Sequence, residues 1–143
     1  MSQFIGTSMP KGFAGELTRG YYDNTIEIKE NDGSVTAFGV PVKLGDGKAA
    51  ATSAAADVVY GFSVRTYGQA NMDGKQAQPF VSVLRRGYIA VINTGGTPAA
   101  GAQAYLTAEG KITAEKSSNT AIPGCMFMGT ADASGLAEIA FNI

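Results

Sequence analysis

The sequence predicts an all-β protein, a β-sandwich or barrel with an extended N-terminal arm, and three observations carry that expectation. Glycine supplies 19 of the 143 residues, close to twice its usual share of about 7%. Glycine reaches positive φ freely and is costly inside helices, so this abundance suits many turns between short strands. Apolar residues recur with a period of two in several runs, and turn signals separate those runs at spacings of roughly 8–12 residues, the pattern of a sandwich or barrel. The chain shows no βαβ alternation and no exact internal repeat.

Residues 1–23 form the expected arm, and residues 24–143 the expected β-domain. The segment from Met1 to Gly15 carries Phe4, Ile5, Met9 and Phe13 without helical or strand period, and Gly6, Pro10, Gly12 and Gly15 interrupt it. An extended segment with spaced apolar anchors suits docking across its own barrel or across a neighbour, while a frayed terminus is the plainer alternative. Arg19, Tyr21 and Tyr22 close the arm.

The strand-like part begins with Thr25-Ile26-Glu27-Ile28-Lys29, in which Ile26 and Ile28 share a face. After the turn signal Asn31-Asp32-Gly33 comes Val35 to Val40, a strand that Pro41 ends or confines to an edge. Gly45-Asp46-Gly47 marks a turn. Lys48 to Asp57 has helix propensity but no large apolar residue to dock it, so one or two helical turns compete with a loop. Val58 to Val64 is β-branched and aromatic, and 65–79 is a polar connection. Phe80 to Arg86 and Tyr88 to Asn93 flank Gly87, which suggests two paired strands around a bulge or sharp bend. Ala102 to Thr107 and Lys111 to Thr113 read as a hairpin turning at Ala108-Glu109-Gly110. Leu136 to Ile143 alternates again, with Ala137, Ile139, Phe141 and Ile143 on one face.

Composition excludes several kinds of function. The chain has no histidine and one cysteine, which removes the commonest general base and the usual nucleophile–histidine pairs, and leaves a zinc site only carboxylates. The acidic residues Asp32, Asp46, Asp73, Glu109 and Asp132 fall in turn signals, where solvated turn chemistry accounts for them. Glu27 and Glu138 fall on strands, opposite the apolar faces. No catalytic, cofactor or metal residues are therefore expected. A net charge of −1 gives no surplus of cations for nucleic-acid phosphates. No apolar run approaches the roughly 20 residues of a membrane helix, and the first residues lack a signal peptide's basic and apolar regions. Cys125, in the run Cys125-Met126-Phe127-Met128, reads as a small core residue. Charged residues are only 16% of the chain, against about 25% in an average domain, and such a surface tolerates burial against a partner. Arg85-Arg86 is the only basic cluster. Neighbouring strand residues point to opposite faces, so the pair admits two readings: edge protection, or one arginine meeting a carboxylate of a partner subunit.

Four segments resemble the structural cement proteins that decorate bacteriophage heads. They are Met9-Pro10-Lys11-Gly12-Phe13-Ala14-Gly15-Glu16-Leu17-Thr18-Arg19, Tyr60-Gly61-Phe62-Ser63-Val64-Arg65, Leu84-Arg85-Arg86-Gly87-Tyr88-Ile89, and the ending from Phe127 to Ile143. The resemblance implies a non-catalytic subunit, a β-sandwich or jelly-roll-like barrel, made in the host cytoplasm and placed on the outer capsid surface. Its implied partners are a major capsid protein of HK97-type fold and further copies of itself, as a dimer or trimer. The partner interface is expected to draw on Phe4, Ile5, Met9, Phe13, Arg19, Tyr21, Tyr22, Arg85 and Arg86. A glycan-binding domain of a virion is the alternative, with Tyr21, Tyr22 and Tyr67 as its platforms; tryptophan is absent.

Overall fold

Thirteen consecutive residues, Phe80–Ile92, form the strand on which the fold is built. The computed structural model describes residues 12–66, 76 and 79–143. Among them nine strands occur: β1 (Thr25–Glu30), β2 (Pro41–Gly45), β3 (Lys48–Ala51), β4 (Gly61–Ser63), β5 (Phe80–Ile92), β6 (Gln103–Leu106), β7 (Ile112–Thr113), β8 (Thr120–Phe127) and β9 (Leu136–Phe141). They join one curled sheet in the order β3-β2-β4-β5-β9-β8-β6-β7, with β1 also on β5. All the named strand pairs are antiparallel. The chain is all-β, as expected from the sequence, and its antiparallel sheet curls into a half-barrel.

The two halves of β5 belong to different parts of the sheet. Phe80 to Arg86 pairs with β1, and Val83 and Leu84 also pair with β4, whereas Gly87 to Ile92 pairs with β9. The expected bend therefore occurs, but inside one strand and not between two paired strands. Gly87 makes it possible: its φ is 142°, and a Cβ there would collide with Asn24. The Asn24 carboxamide oxygen instead accepts the Tyr88 N–H at 3.0 Å.

The half containing β3, β2, β4, β5 and β1 curls towards closure, where Asn31 bridges Ala49 and Lys48 lies 3.3 Å from Glu30. Val35, Val42, Ala49, Val81 and Val83 fill it. The half containing β5, β9, β8, β6 and β7 packs a larger core that includes Leu84, Ile89, Ile122, Phe127 and Ile139. Phe62 joins the two halves, meeting Phe141 edge-on at 5.1 Å and 87°. Burying one such aromatic ring removes about 150–250 Å² from water.

Several local expectations change. Val35 to Val40 is not a strand; its polar groups bond outside a ladder, with the Val35 carbonyl accepting from Asn31 and the Gly39 N–H donating to Ser63 of β4. Pro41 begins β2, a position that needs no ladder donor. Lys48 to Ala51 is a strand, and Asp57 closes the loop after it by accepting the N–H groups of Ser53 and Ala54. Strand β8 carries no clear sequence signal, because Pro123 and Gly124 break its alternation. Residues 15–18 lie along the free side of β5: Gly15 N–H donates to Ala90 at 2.8 Å, Ala90 N–H to Glu16 at 3.0 Å, and Leu17 bridges Ile89.

Candidate docking surface

Strand β1 turns its apolar face outwards. Ile26 is 43% and Ile28 68% exposed, while Glu27 and Lys29 point into the half-barrel. The inward side is satisfied by a local cluster. Tyr60 donates its hydroxyl to Glu27 at 2.7 Å, Lys29 pairs with Glu27 at 3.0 Å, and the Arg85 guanidinium stacks 3.6 Å from the centre of the Tyr60 ring. The Tyr60 hydroxyl, and after it Lys29, hold the Glu27 carboxyl below its ordinary range. Leaving Ile28 in water forgoes much of the roughly 1.5–3 kcal/mol that its burial would contribute. Across the strand pair Glu30 faces Phe80, which extends the same outer face and is 48% exposed. Beside Ile26, a hollow of about 320 Å³ opens between Leu17, Tyr22, Asn24 and Ile26.

A second concavity lies on the other side of the β1–β5 layer. It measures about 610 Å³, and Leu44, Val58, Tyr60, Arg85 and Phe141 are among its walls. Val58 is 82% exposed there. Lys43 and Asp57 at its margin neutralise each other at 3.3 Å.

The residues singled out from the sequence have different surroundings. Phe4, Ile5 and Met9 lie outside the described residues. Arg19 and Arg85 are committed within the chain. Arg19 pairs with Glu138 at 2.8 Å and stacks on Tyr88, and Arg85 donates to the Tyr60 carbonyl. Phe13, Tyr22 and Arg86 are exposed. The Phe13 ring nevertheless lies 5.4 Å from the guanidinium of Arg65. Tyr21 and Tyr22 belong to a single 3-10 turn, Tyr21–Asp23. Neither arginine of the pair 85–86 protects an edge, because their strand is paired on both sides. Sequence reasoning missed Ile26, Ile28 and Phe80 as surface residues. Alternation shows which residues share a face and is silent on which face points inwards.

Among the described residues no cluster of three or more histidine, cysteine, aspartate or glutamate side chains could hold a metal ion, and no helix is long and apolar enough to cross a membrane. Burial pushes the Cys125 thiol up to about 12, so it stays protonated near neutrality.

No curated protein matches the chain. Among solved structures, a chain from the capsid of Myoviridae phage XM1 superposes with a TM-score of 0.73 over 95% of this chain and 93% of its own length, at 16% identity. The fold just described is thus one found in a phage capsid. A family model described as structural cement protein (E217 gp24/Pam3 gp6) matches residues 1–142. The chain therefore belongs to the phage structural cement protein family, structural components of the virion that associate with capsid proteins at the capsid surface.

Proposed function

We propose that this protein clamps the outside of a phage head by bridging subunits of the major capsid protein, a shell protein of HK97-type fold, and that it does so as a dimer or trimer without catalysing a reaction. The family match over residues 1–142 carries the reading. Two observations support bridging in particular. The apolar face of β1 and the hollow walled by Val58 and Phe141 lie on different sides of one layer, so one copy offers two contact surfaces. The arm residues Phe4, Ile5, Met9 and Phe13 add anchors that suit a neighbouring subunit. Tying one copy to two shell subunits makes the second contact intramolecular, so loss of a single contact does not release the clamp. About 1.4 kcal/mol per copy already changes occupancy tenfold, and icosahedral repetition sums that gain against the outward pressure of packaged DNA.

Particles made without the protein should assemble normally, release DNA at lower temperature or under osmotic shock, and recover when purified protein is added. Particles that resist heat and shock like intact ones but no longer adsorb to cells would replace this reading with glycan binding.

A further inference from the structure

We propose that Glu27 and Lys29, turned into the half-barrel, guard the open edge of β1 against the addition of another strand, so that the subunit holds Ile26 and Ile28 towards solvent without stacking edge to edge on further copies. The guard acts in the isolated subunit, whichever partner the cement reading supplies.

The path of the sheet ends at β3 and at β7, and β1 leaves a further edge beside β5. These edges are finished in different ways. The outer side of β3 is covered by the residues after β1: the Asp32 N–H donates to the Ala49 carbonyl at 3.1 Å, and the Ala51 N–H to the Ser34 hydroxyl at 2.9 Å. The outer side of β7 is covered by the residues after β5, where the Thr94 N–H donates to the Ile112 carbonyl at 3.0 Å and the Ala114 N–H to the Gly95 carbonyl at 3.1 Å. Strand β1 pairs with β5 alone, and its link to β3 is made beyond the strand's centre, at Asn31 and by the Glu30–Lys48 pair. Among the described residues no backbone bond reaches Ile26 to Lys29 from the side away from β5. In an antiparallel pair every second residue turns its N–H and C=O away from the partner strand. With exposed isoleucines on one face, such a row of groups is a template for pairing with another chain.

The charges on the other face close that template. Glu27 and Lys29 lie 3.0 Å apart, and their side chains keep 39% and 28% of their exposure. Tyr60 holds both from within, donating its hydroxyl to Glu27 at 2.7 Å while the Lys29 ammonium lies 5.7 Å from the centre of its ring. A strand laid on the edge would set its own inner side chains beside these two charges and take away the water they still reach, a desolvation that apolar residues at the same positions would not suffer. The bulge between Thr25 and Ile26 adds twist at one end of the edge. Inward-turned charges and bulges are both means by which natural sheets keep an edge unpaired. Isoleucines turned inwards would gain burial and leave the edge unguarded.

Sedimentation velocity and hydrogen exchange on the full-length protein test the guard. In wild type the backbone N–H groups of Ile26 to Lys29 that face away from β5 should exchange freely, and no larger species should form as the protein is concentrated. Lys29→Val keeps the bond from Tyr60 to Glu27, whereas Glu27→Val combined with Lys29→Val removes both charges. Each should self-associate at least tenfold more tightly than wild type, and the same N–H groups should become protected in the associated form. Lys29→Arg should behave as wild type. If the double variant loses its β circular dichroism, the single variant decides. Variants that stay like wild type on concentration would overturn the proposal. Association that leaves those N–H groups as exchangeable as before would place the contact elsewhere and overturn it equally. Protection of those groups in dilute wild type would show an edge already covered, with nothing to guard. None of these measurements involves a shell, so the cement reading stands or falls separately.

Discussion

The guanidinium of Arg85 lies flat against the Tyr60 ring, 3.6 Å from its centre, and donates to the carbonyl of the same residue. One side chain thus grips both the backbone and the ring of the residue leading into β4, and the far end of that ring holds Glu27 of β1. Three strands are tied at one point by an arginine that the sequence leaves open to edge protection or to a partner interface.

Arg85→Ala should therefore cost stability. A stacked cation contributes about 0.5–2 kcal/mol, and a charged hydrogen bond about 1.5–3 kcal/mol; with partial exposure, a loss of about 1–3 kcal/mol is expected. Arg86→Ala should stay within about 0.5 kcal/mol, as exposed positions do. Urea denaturation of the two variants side by side checks the contrast, and equal effects would show that the stacking contributes nothing particular.

Acid should weaken the fold, and the sign follows from the carboxyl groups. Glu27 is held low by the Tyr60 hydroxyl and then by Lys29, and Asp57 is held low first by the Ser53 N–H. A folded-state pKa below the unfolded one gives stability that is present above the unfolded value, about 4, and is lost as pH falls through the folded value. The melting temperature should stay level from about pH 7 to 5 and drop below about 4. Glu27→Gln removes one of these contributions, so its melting curve should fall less steeply over that interval. A wild-type melting temperature unchanged at pH 3 would refute the linkage.

Much of the architecture is legible in local sequence, and the misses have physical causes. The turn Gly45-Asp46-Gly47 and the β6–β7 hairpin are specified by residues inside them, since Asp46, Gly47 and Gly110 all take positive φ. The sense of β1 is not specified locally. Its alternation is plain, but Tyr60 and Arg85, distant in sequence, decide that the glutamate and lysine turn inwards. Strand β8 hides because Pro123 and Gly124 interrupt it, although Ile122, Cys125 and Phe127 are all buried. Of the candidate docking surface, Ile26 and Ile28 look like core until the inward side of the strand is known.

The segment before β1 should divide into two parts with different consequences when removed. From Ala14 onward it is bound to the body. Besides the bonds from Gly15 and Glu16 to β5, Arg65 donates its backbone N–H to Gly15 and its side chain to the Ala14 carbonyl, at 2.8 and 2.9 Å. Leu17 packs against the larger core, and Thr18 and Arg19 both donate to Glu138. Deleting residues 1–19 strips these bonds and leaves Glu138, only 15% exposed in its side chain, without either donor. At about 1 kcal/mol per backbone hydrogen bond and more for the charged bonds that Thr18 and Arg19 make to Glu138, the loss should reach roughly 3–5 kcal/mol. For a chain of this size each 1 kcal/mol shifts melting by about 2–4 °C, so calorimetry should find a drop on the order of 10 °C. Deleting residues 1–11 removes none of these bonds and should leave melting nearly unchanged. If Phe4, Ile5 and Met9 anchor on a neighbouring subunit, the shorter deletion should still weaken binding to empty shells. A shorter deletion that lowers melting as far as the longer one would assign those three residues to the subunit's own core and withdraw them from assembly.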